Sequence, residues 1–256
     1  MIQVEQLVKS YKLNKKQRAE LGTNATEVRA VDDVSFSCEA GRIFSLLGPN
    51  GAGKTTTLRM IATILNPTSG HITVNGHRTD QDPAAVRANI GFLTGSTGLY
   101  ERLTPNEVIK YFAKLYNLDQ STFKERKEHL FELLDINEFA SKRIGQLSTG
   151  MKQKVSIART MIHDPQVVIF DEPTSGLDVI TAENIIRLIR DCKDQGKTVI
   201  FSSHIMSEVD LLCDDLAIIH KGKLRYQGTM SQFRQDFVDR TLTDAFIHVV
   251  QQEPAI

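Results

Sequence analysis

The chain has no tryptophan, only three cysteines and only seven prolines in 256 residues. Cys38, Cys192 and Cys213 stand far apart, are odd in number and show no CxxC spacing. That argues against a disulfide framework and a thiolate zinc site, and leaves the three as small hydrophobes in the core. An excess of either charge is also missing, since 31 Lys plus Arg balance 31 Asp plus Glu. Without a basic footprint, no nucleic acid is expected as a partner. No apolar run approaches the roughly 18 residues of a membrane-spanning helix, and Met1–Glu5 lacks the basic and apolar stretches of a secretion signal. These absences predict a cytoplasmic chain that meets a membrane only through a partner.

What remains is globular, with 41% hydrophobic and 24% charged residues, enough to bury a sizeable core. Short β-rich runs alternate with helical patterns: residues 43–47 then 55–65, and 167–170 then 179–192, followed by 199–202. That alternation predicts an α/β fold with a parallel sheet. Residues 31–38, 71–74 closed by Asn75-Gly76, and 216–220 with Lys221-Gly222 before 224–226 read instead as strands joined by hairpin turns. They predict an antiparallel β lobe and a β-strand finish. From about residue 99 to 162 the pattern is helical, opened by the capping-box run Thr104-Pro105-Asn106-Glu107. This block interrupts the α/β alternation and is expected to be an inserted helical subdomain. The polar stretch from Lys12 to Glu27 reads as a loop or hairpin insertion.

Chemistry concentrates at Gly48-Pro49-Asn50-Gly51-Ala52-Gly53-Lys54-Thr55, which matches GxxxxGK[ST] between an apolar run and a helical one. Glycines let successive backbone N–H groups face phosphate oxygens at a helix N-terminus. Lys54 is expected on the β- and γ-phosphates, Thr55 on Mg²⁺, and Thr56 completes the nucleotide-binding run. Further on, Val167–Phe170 is a buried-strand pattern ending in two carboxylates, Asp171 and Glu172. Asp171 is the candidate Mg²⁺ ligand through water, and Glu172 the group that orients the attacking water. A second polar loop, Leu147-Ser148-Thr149-Gly150-Met151, precedes a helix and so makes a second anion-binding end.

At these residues the chain resembles the ABC ATPases. Leu147–Met151 is a variant of their LSGGQ signature, Ser175-Gly176-Leu177-Asp178 is similar to their D-loop, and His204 to their switch histidine. The resemblance spans about residues 2–228, leaving 229–256 as a helical or irregular tail. It implies a P-loop, RecA-like core (α/β) with an antiparallel lobe and a helical insertion. Implied too are ATP and Mg²⁺ as cofactors, hydrolysis with Glu172 and His204 as catalytic residues, and stacking of Tyr11 on adenine.

In that family the signature loop of one subunit closes on the nucleotide held by another. Ser148, Gly150 and Asp178 are thus expected to complete the partner's site in a homodimer, with a separate membrane-spanning permease as the second partner. The chain would then lie peripherally on the inner face of the cell membrane. One departure stands out: Thr94-Gly95-Ser96-Thr97 occupies the place of the family's Q-loop glutamine. That segment and the signature variant are similar to the sodium-extruding NatA-type ATPases of ABC-2 exporters. A soluble ABC ATPase that remodels a macromolecular complex is the alternative, although the spacing from Lys54 to Asp171 is too short for the long coiled coil of such relatives. A P-loop kinase or GTPase-like switch would leave residues 147–151, 175–178 and His204 unexplained.

Overall fold

The structure, a computed structural model, describes residues 1–20, 22–94 and 98–252. Two long strands, β1 (Ile2–Lys12) and β2 (Glu27–Cys38), are joined through a short helix, α1 (Lys15–Glu20). Strand β3 (Ile43–Leu47) runs into helix α2 (Lys54–Ile61), and a hairpin of β4 (Ser69–Val74) and β5 (His77–Arg78) leads to α3 (Pro83–Asn89) and β6 (Ile90–Thr94). Helices α4 (Pro105–Leu115), α5 (Gln120–Leu133) and α6 (Thr149–Met161) follow. Next come β7 (Val167–Asp171), α7 (Val179–Asp194), β8 (Thr198–Ser202) and α8 (Met206–Leu212). The last elements are a hairpin of β9 (Asp215–His220) and β10 (Lys223–Thr229) and two helices, α9 (Met230–Asp236) and α10 (Leu242–Gln251).

Six strands form one sheet in the order β10-β9-β3-β8-β7-β6, parallel except for the β9–β10 pair. Every residue of β3, β7 and β8 is buried, as both faces of a covered parallel sheet require. Alternation divides them between two cores. Ile43, Leu47, Val168, Phe170 and Phe201 face the helices α4–α7, whereas Phe44, Leu46, Val167, Ile169 and Ile200 face α2 and the lobe. The lobe is the antiparallel sheet β2-β1-β4-β5.

The hairpin near the C-terminus joins the main sheet, because β9 pairs in parallel with β3. The polar stretch after Tyr11 splits between the end of β1, helix α1 and the start of β2. Thr104 caps α4 as its sequence predicts, its Oγ accepting from the Glu107 N–H at 3.3 Å while Glu107 accepts from the Thr104 N–H at 2.8 Å. Residues beyond 228 pack on the body of the domain: Phe233, Ala245 and Val249 share a core with Leu216 and Ile218.

At the end of α6, His163 donates through Nε2 to the Ile90 carbonyl at 3.1 Å and stacks on Tyr116 with ring centroids 3.8 Å apart. Burial holds its pKa near 4, below the ordinary 6.5. Between these values the unfolded chain binds a proton that the folded chain refuses. The stabilising contribution is therefore complete above pH 6.5 and is lost as pH falls toward 4, by about 3 kcal/mol. Urea unfolding of wild type and His163→Gln at pH 7 and pH 5 checks this: the variant should show the smaller pH dependence.

Candidate active site

Strand β3 delivers the chain into loop 48–53, and α2 begins at its end. Gly53 caps α2 with φ 110°, in the left-handed region, and a Cβ there would collide with the carbonyl oxygen of Ala30 in β2. Only glycine fits both constraints. The loop is braced from the β9–β10 turn by a hydrogen bond from the Gly222 N–H to the Ala52 carbonyl, 2.9 Å. Inside it, the buried Lys54 ammonium donates to the carbonyls of Gly48 at 2.7 Å and Pro49 at 3.3 Å. Burial lowers the Lys54 pKa, against the opposing pull of Glu172 and Asp171.

Asp171 ends β7, where the parallel register sets it beside Thr94 of β6 and Ser202 of β8. Its Oδ1 accepts from Ser202 Oγ at 2.7 Å and from Thr55 Oγ1 at 3.2 Å. Glu172 follows with φ 52°, and its N–H donates to Ser202 through both Oγ at 3.1 Å and the carbonyl at 3.2 Å. This turns the carboxylate out of the strand toward His204, whose Nδ1 lies 3.6 Å from Glu172 Oε1. The turn carrying His204 is fixed by the buried Ser203, whose Oγ donates to Glu208 at 2.9 Å and accepts from the Ile205 N–H at 3.0 Å. Lys54, Thr55, Asp171, Glu172 and His204, expected together from distant parts of the chain, meet here.

A cavity of about 320 Å³ opens between Thr55, Asp171 and Glu172 on one side and Thr149, Gln153 and Ser175 on the other. Ser148 caps α6, its Oγ accepting from the Met151 N–H at 3.2 Å. Asp178 caps α7, accepting from the N–H and hydroxyl of Thr181 at 2.9 and 2.8 Å, and these bonds hold its carboxyl below the usual range. A Cβ on Gly150 would lie 3.5 Å from Asp178 Oδ2, so Ser148, Gly150 and Asp178 form a second group beside the first. Tyr11 lies near the end of β1, 39% exposed, paired with Val28 and with the Lys9 ammonium 5.3 Å above its ring. Asn50 and Gly51 are exposed at the loop tip, and Thr56 lies half-buried in the first turn of α2. Gly95, Ser96 and Thr97, at the place of the missing glutamine, lie outside the described residues.

Sequence reasoning missed Ser202, which holds both acidic residues, and gave no role to Gln153 on the cavity wall, where Thr149 of the signature-like loop and Ser175 of the D-loop-like run also lie. The one local signal for Ser202 was a hydroxyl closing a fully buried strand, after Thr198 and three apolar residues. Ser202→Ala removes the hydrogen bond to the Asp171 carboxylate, worth about 1.5–3 kcal/mol, together with the Oγ contact of the Glu172 N–H, so kcat is expected to fall about 10–100-fold with little change in KM. Steady-state phosphate release measures both.

The ABC transporter family model matches residues 31–175. The ABC transporter ATP-binding protein NatA of Bacillus subtilis is 49% identical over 205 residues, covering 79% of this chain and 83% of that protein. The chain belongs to the ABC transporter ATP-binding family. A solved structure of an ATP-binding subunit of an ABC transporter superposes with a TM-score of 0.85 at 28% identity, over 98% of this chain and 100% of that one. The dimeric structure of MJ0796, a bacterial ABC transporter cassette, gives 0.78 at 25% identity, over 90% and 99%. An AAA-domain model also matches residues 143–210, the stretch that carries Asp171, Glu172 and His204. As an ABC protein, the chain is an ATPase that binds ATP.

Proposed function

We propose that this ATPase is the motor of an exporter, working as a head-to-tail homodimer around two ATP–Mg²⁺ and driving a separate membrane-spanning permease. The observation that carries this reading is the convergence of Lys54, Thr55, Asp171, Glu172 and His204 next to the group formed by Ser148, Gly150 and Asp178. The first group is built to hold a triphosphate and aim a water. The second presents a capped helix N-terminus beside it, suited to the terminal phosphate held by another copy. The dimeric MJ0796 cassette supports the assembly by analogy.

Thr55 and Asp171 offer a hydroxyl and a carboxylate 3.2 Å apart, hard oxygen donors that suit Mg²⁺. When bound there, the ion would neutralise charge on the phosphate oxygens. Lys54 binds the β- and γ-phosphates, Glu172 orients and polarises the attacking water, and His204 holds that water and Glu172 in line. Tyr11, exposed near the end of β1, offers a face for adenine.

No helix among the described residues is long and apolar enough to cross a membrane, and in this reading the permease is a separate chain. That permease would dock on the helical subdomain, where a cleft of about 330 Å³ is walled by Phe92 of β6 and by Phe112 and Tyr116 at the end of α4. The chain would then sit peripherally on the inner membrane face. Na⁺ is the solute favoured by the NatA-type resemblance.

Mixing two inactive variants tests the composite site. Lys54→Ala lacks a working P-loop, and Gly150→Asp blocks the second group. In a head-to-tail dimer one site of each mixed pair keeps both intact halves, so the mixture should recover ATPase activity that neither variant has alone. Persistent inactivity, with both variants folded and able to dimerise, would rule out shared sites. ATP-driven ²²Na⁺ uptake into inverted vesicles holding the co-purified permease tests the solute.

A further inference from the structure

At the C-terminal ends of α6 and α7, whose N-terminal ends carry Ser148 and Asp178, a larger cavity of about 500 Å³ lies between α5 and α7. Its floor is apolar, formed by Leu130 and Leu133 of α5, Met161 of α6, and Leu188 and Cys192 of α7. Burial pushes the Cys192 thiol up to about 12, so the floor carries no charge at neutral pH. Volume and lining fall within the range of small-molecule sites, about 300–1,000 Å³ and mostly apolar.

The charge around the mouth selects the ligand. Leu130 and Leu133, Met161, and Asp191 to Asp194 belong to the last turns of three helices, so the partially negative ends of α5, α6 and α7 converge on one cavity. α5 has no basic residue in its last turn, and Lys193 of α7 is engaged by Asp214 at 2.7 Å. Asp164, on the wall, is satisfied by Lys197 and by Arg126 at 3.3 Å, and Arg126 also donates to the Ile162 carbonyl at 3.4 Å. Among the described residues, no hydrogen bond or ion pair engages the carboxylates of Asp191 and Asp194. His129 is the remaining basic group on the rim.

We propose that this cavity binds a small amphipathic cation, its apolar body on the Leu130–Leu188–Cys192 floor and its ammonium against Asp191 and Asp194. Such a ligand would bridge α5, which packs on α4 and α6, and α7, which packs on β8 and α8. The site does not depend on the transport reading, because neither ATP nor a permease takes part in it.

The full chain is titrated by ligand-observed NMR with three probes of one shape: 4-phenylbutylamine, 4-phenylbutanol and 4-phenylbutyrate. The amine should bind saturably and about tenfold more tightly than the alcohol, with the carboxylate weakest. Asp191→Asn combined with Asp194→Asn should bring the amine down to the level of the alcohol. Leu133→Trp, which fills the cavity from a half-buried position, should abolish binding of all three. Thermal unfolding confirms that each variant is folded. Absence of saturable amine binding, equal affinity for the three probes, or unchanged amine affinity in the folded double variant would each overturn the proposal.

Discussion

Glu172→Gln should leave ATP binding intact and slow hydrolysis by roughly 10²–10⁴-fold, the usual worth of a positioned general base. The substitution preserves shape. Glu172 is placed by its backbone, through φ 52° and two contacts of its N–H with Ser202 at 3.1 and 3.2 Å, none of which involves the side chain that changes. Lys54 and its bonds to Gly48 and Pro49 are likewise untouched, so the phosphates keep their cation. What disappears is the negative charge that polarises the water and draws His204, 3.6 Å away. With hydrolysis blocked and binding retained, ATP should also accumulate a dimer. Phosphate release measures the rate, and size-exclusion chromatography with and without ATP measures the dimer. Turnover near wild type would remove Glu172 from the role of base.

Much of this site is legible in the sequence because its chemistry is written in short local runs. Glycines at 48, 51 and 53 have to be glycines for reasons of backbone geometry, and two adjacent acids closing a buried strand demand a purpose. The parallel core was equally legible, since β3, β7 and β8 are apolar on both faces and short. Ser202 was hidden because its role exists only through register: β8 must lie beside β7 before one hydroxyl can hold both Asp171 and the Glu172 N–H. Thr149 and Ser175 stand in runs that the sequence marks, but that they line one cavity with Gln153 and Thr55 follows only from packing α6 against the end of β7. Gln153 Nε2 donates to the Pro173 carbonyl at 3.1 Å, a link between distant segments that no periodicity announces. The β9–β10 hairpin was legible as a hairpin, but its place in the main sheet was not. Pairing of β9 with β3 puts Gly222 where it braces the phosphate loop, and that follows from topology rather than from turn chemistry.

Lys54→Ala should act earlier in the cycle, lowering ATP affinity about 10²-fold, the loss expected when one or two charge-assisted hydrogen bonds to phosphate, each worth about 1.5–3 kcal/mol, disappear. The Lys54 ammonium is held in place before any nucleotide arrives, by the Gly48 and Pro49 carbonyls at 2.7 and 3.3 Å. Its burial opposes the charged form, and the carboxylates of Glu172 and Asp171 support it. An incoming triphosphate therefore meets a cation that is already oriented and partly stripped of water, so little reorganisation accompanies binding. Lys54→Met separates charge from volume: it keeps most of the side chain and should lose affinity to the same extent. Titration with a fluorescent ATP analogue gives the dissociation constants of both variants. Read beside Glu172→Gln, the outcome divides the site into its two tasks, since a Lys54 variant that fails to hold ATP cannot form the ATP-trapped dimer, whereas the Glu172 variant should form it readily. If Lys54→Ala bound ATP as wild type does and still failed to hydrolyse it, the ammonium would belong to the transition state alone and the loop's backbone would carry the ground-state affinity.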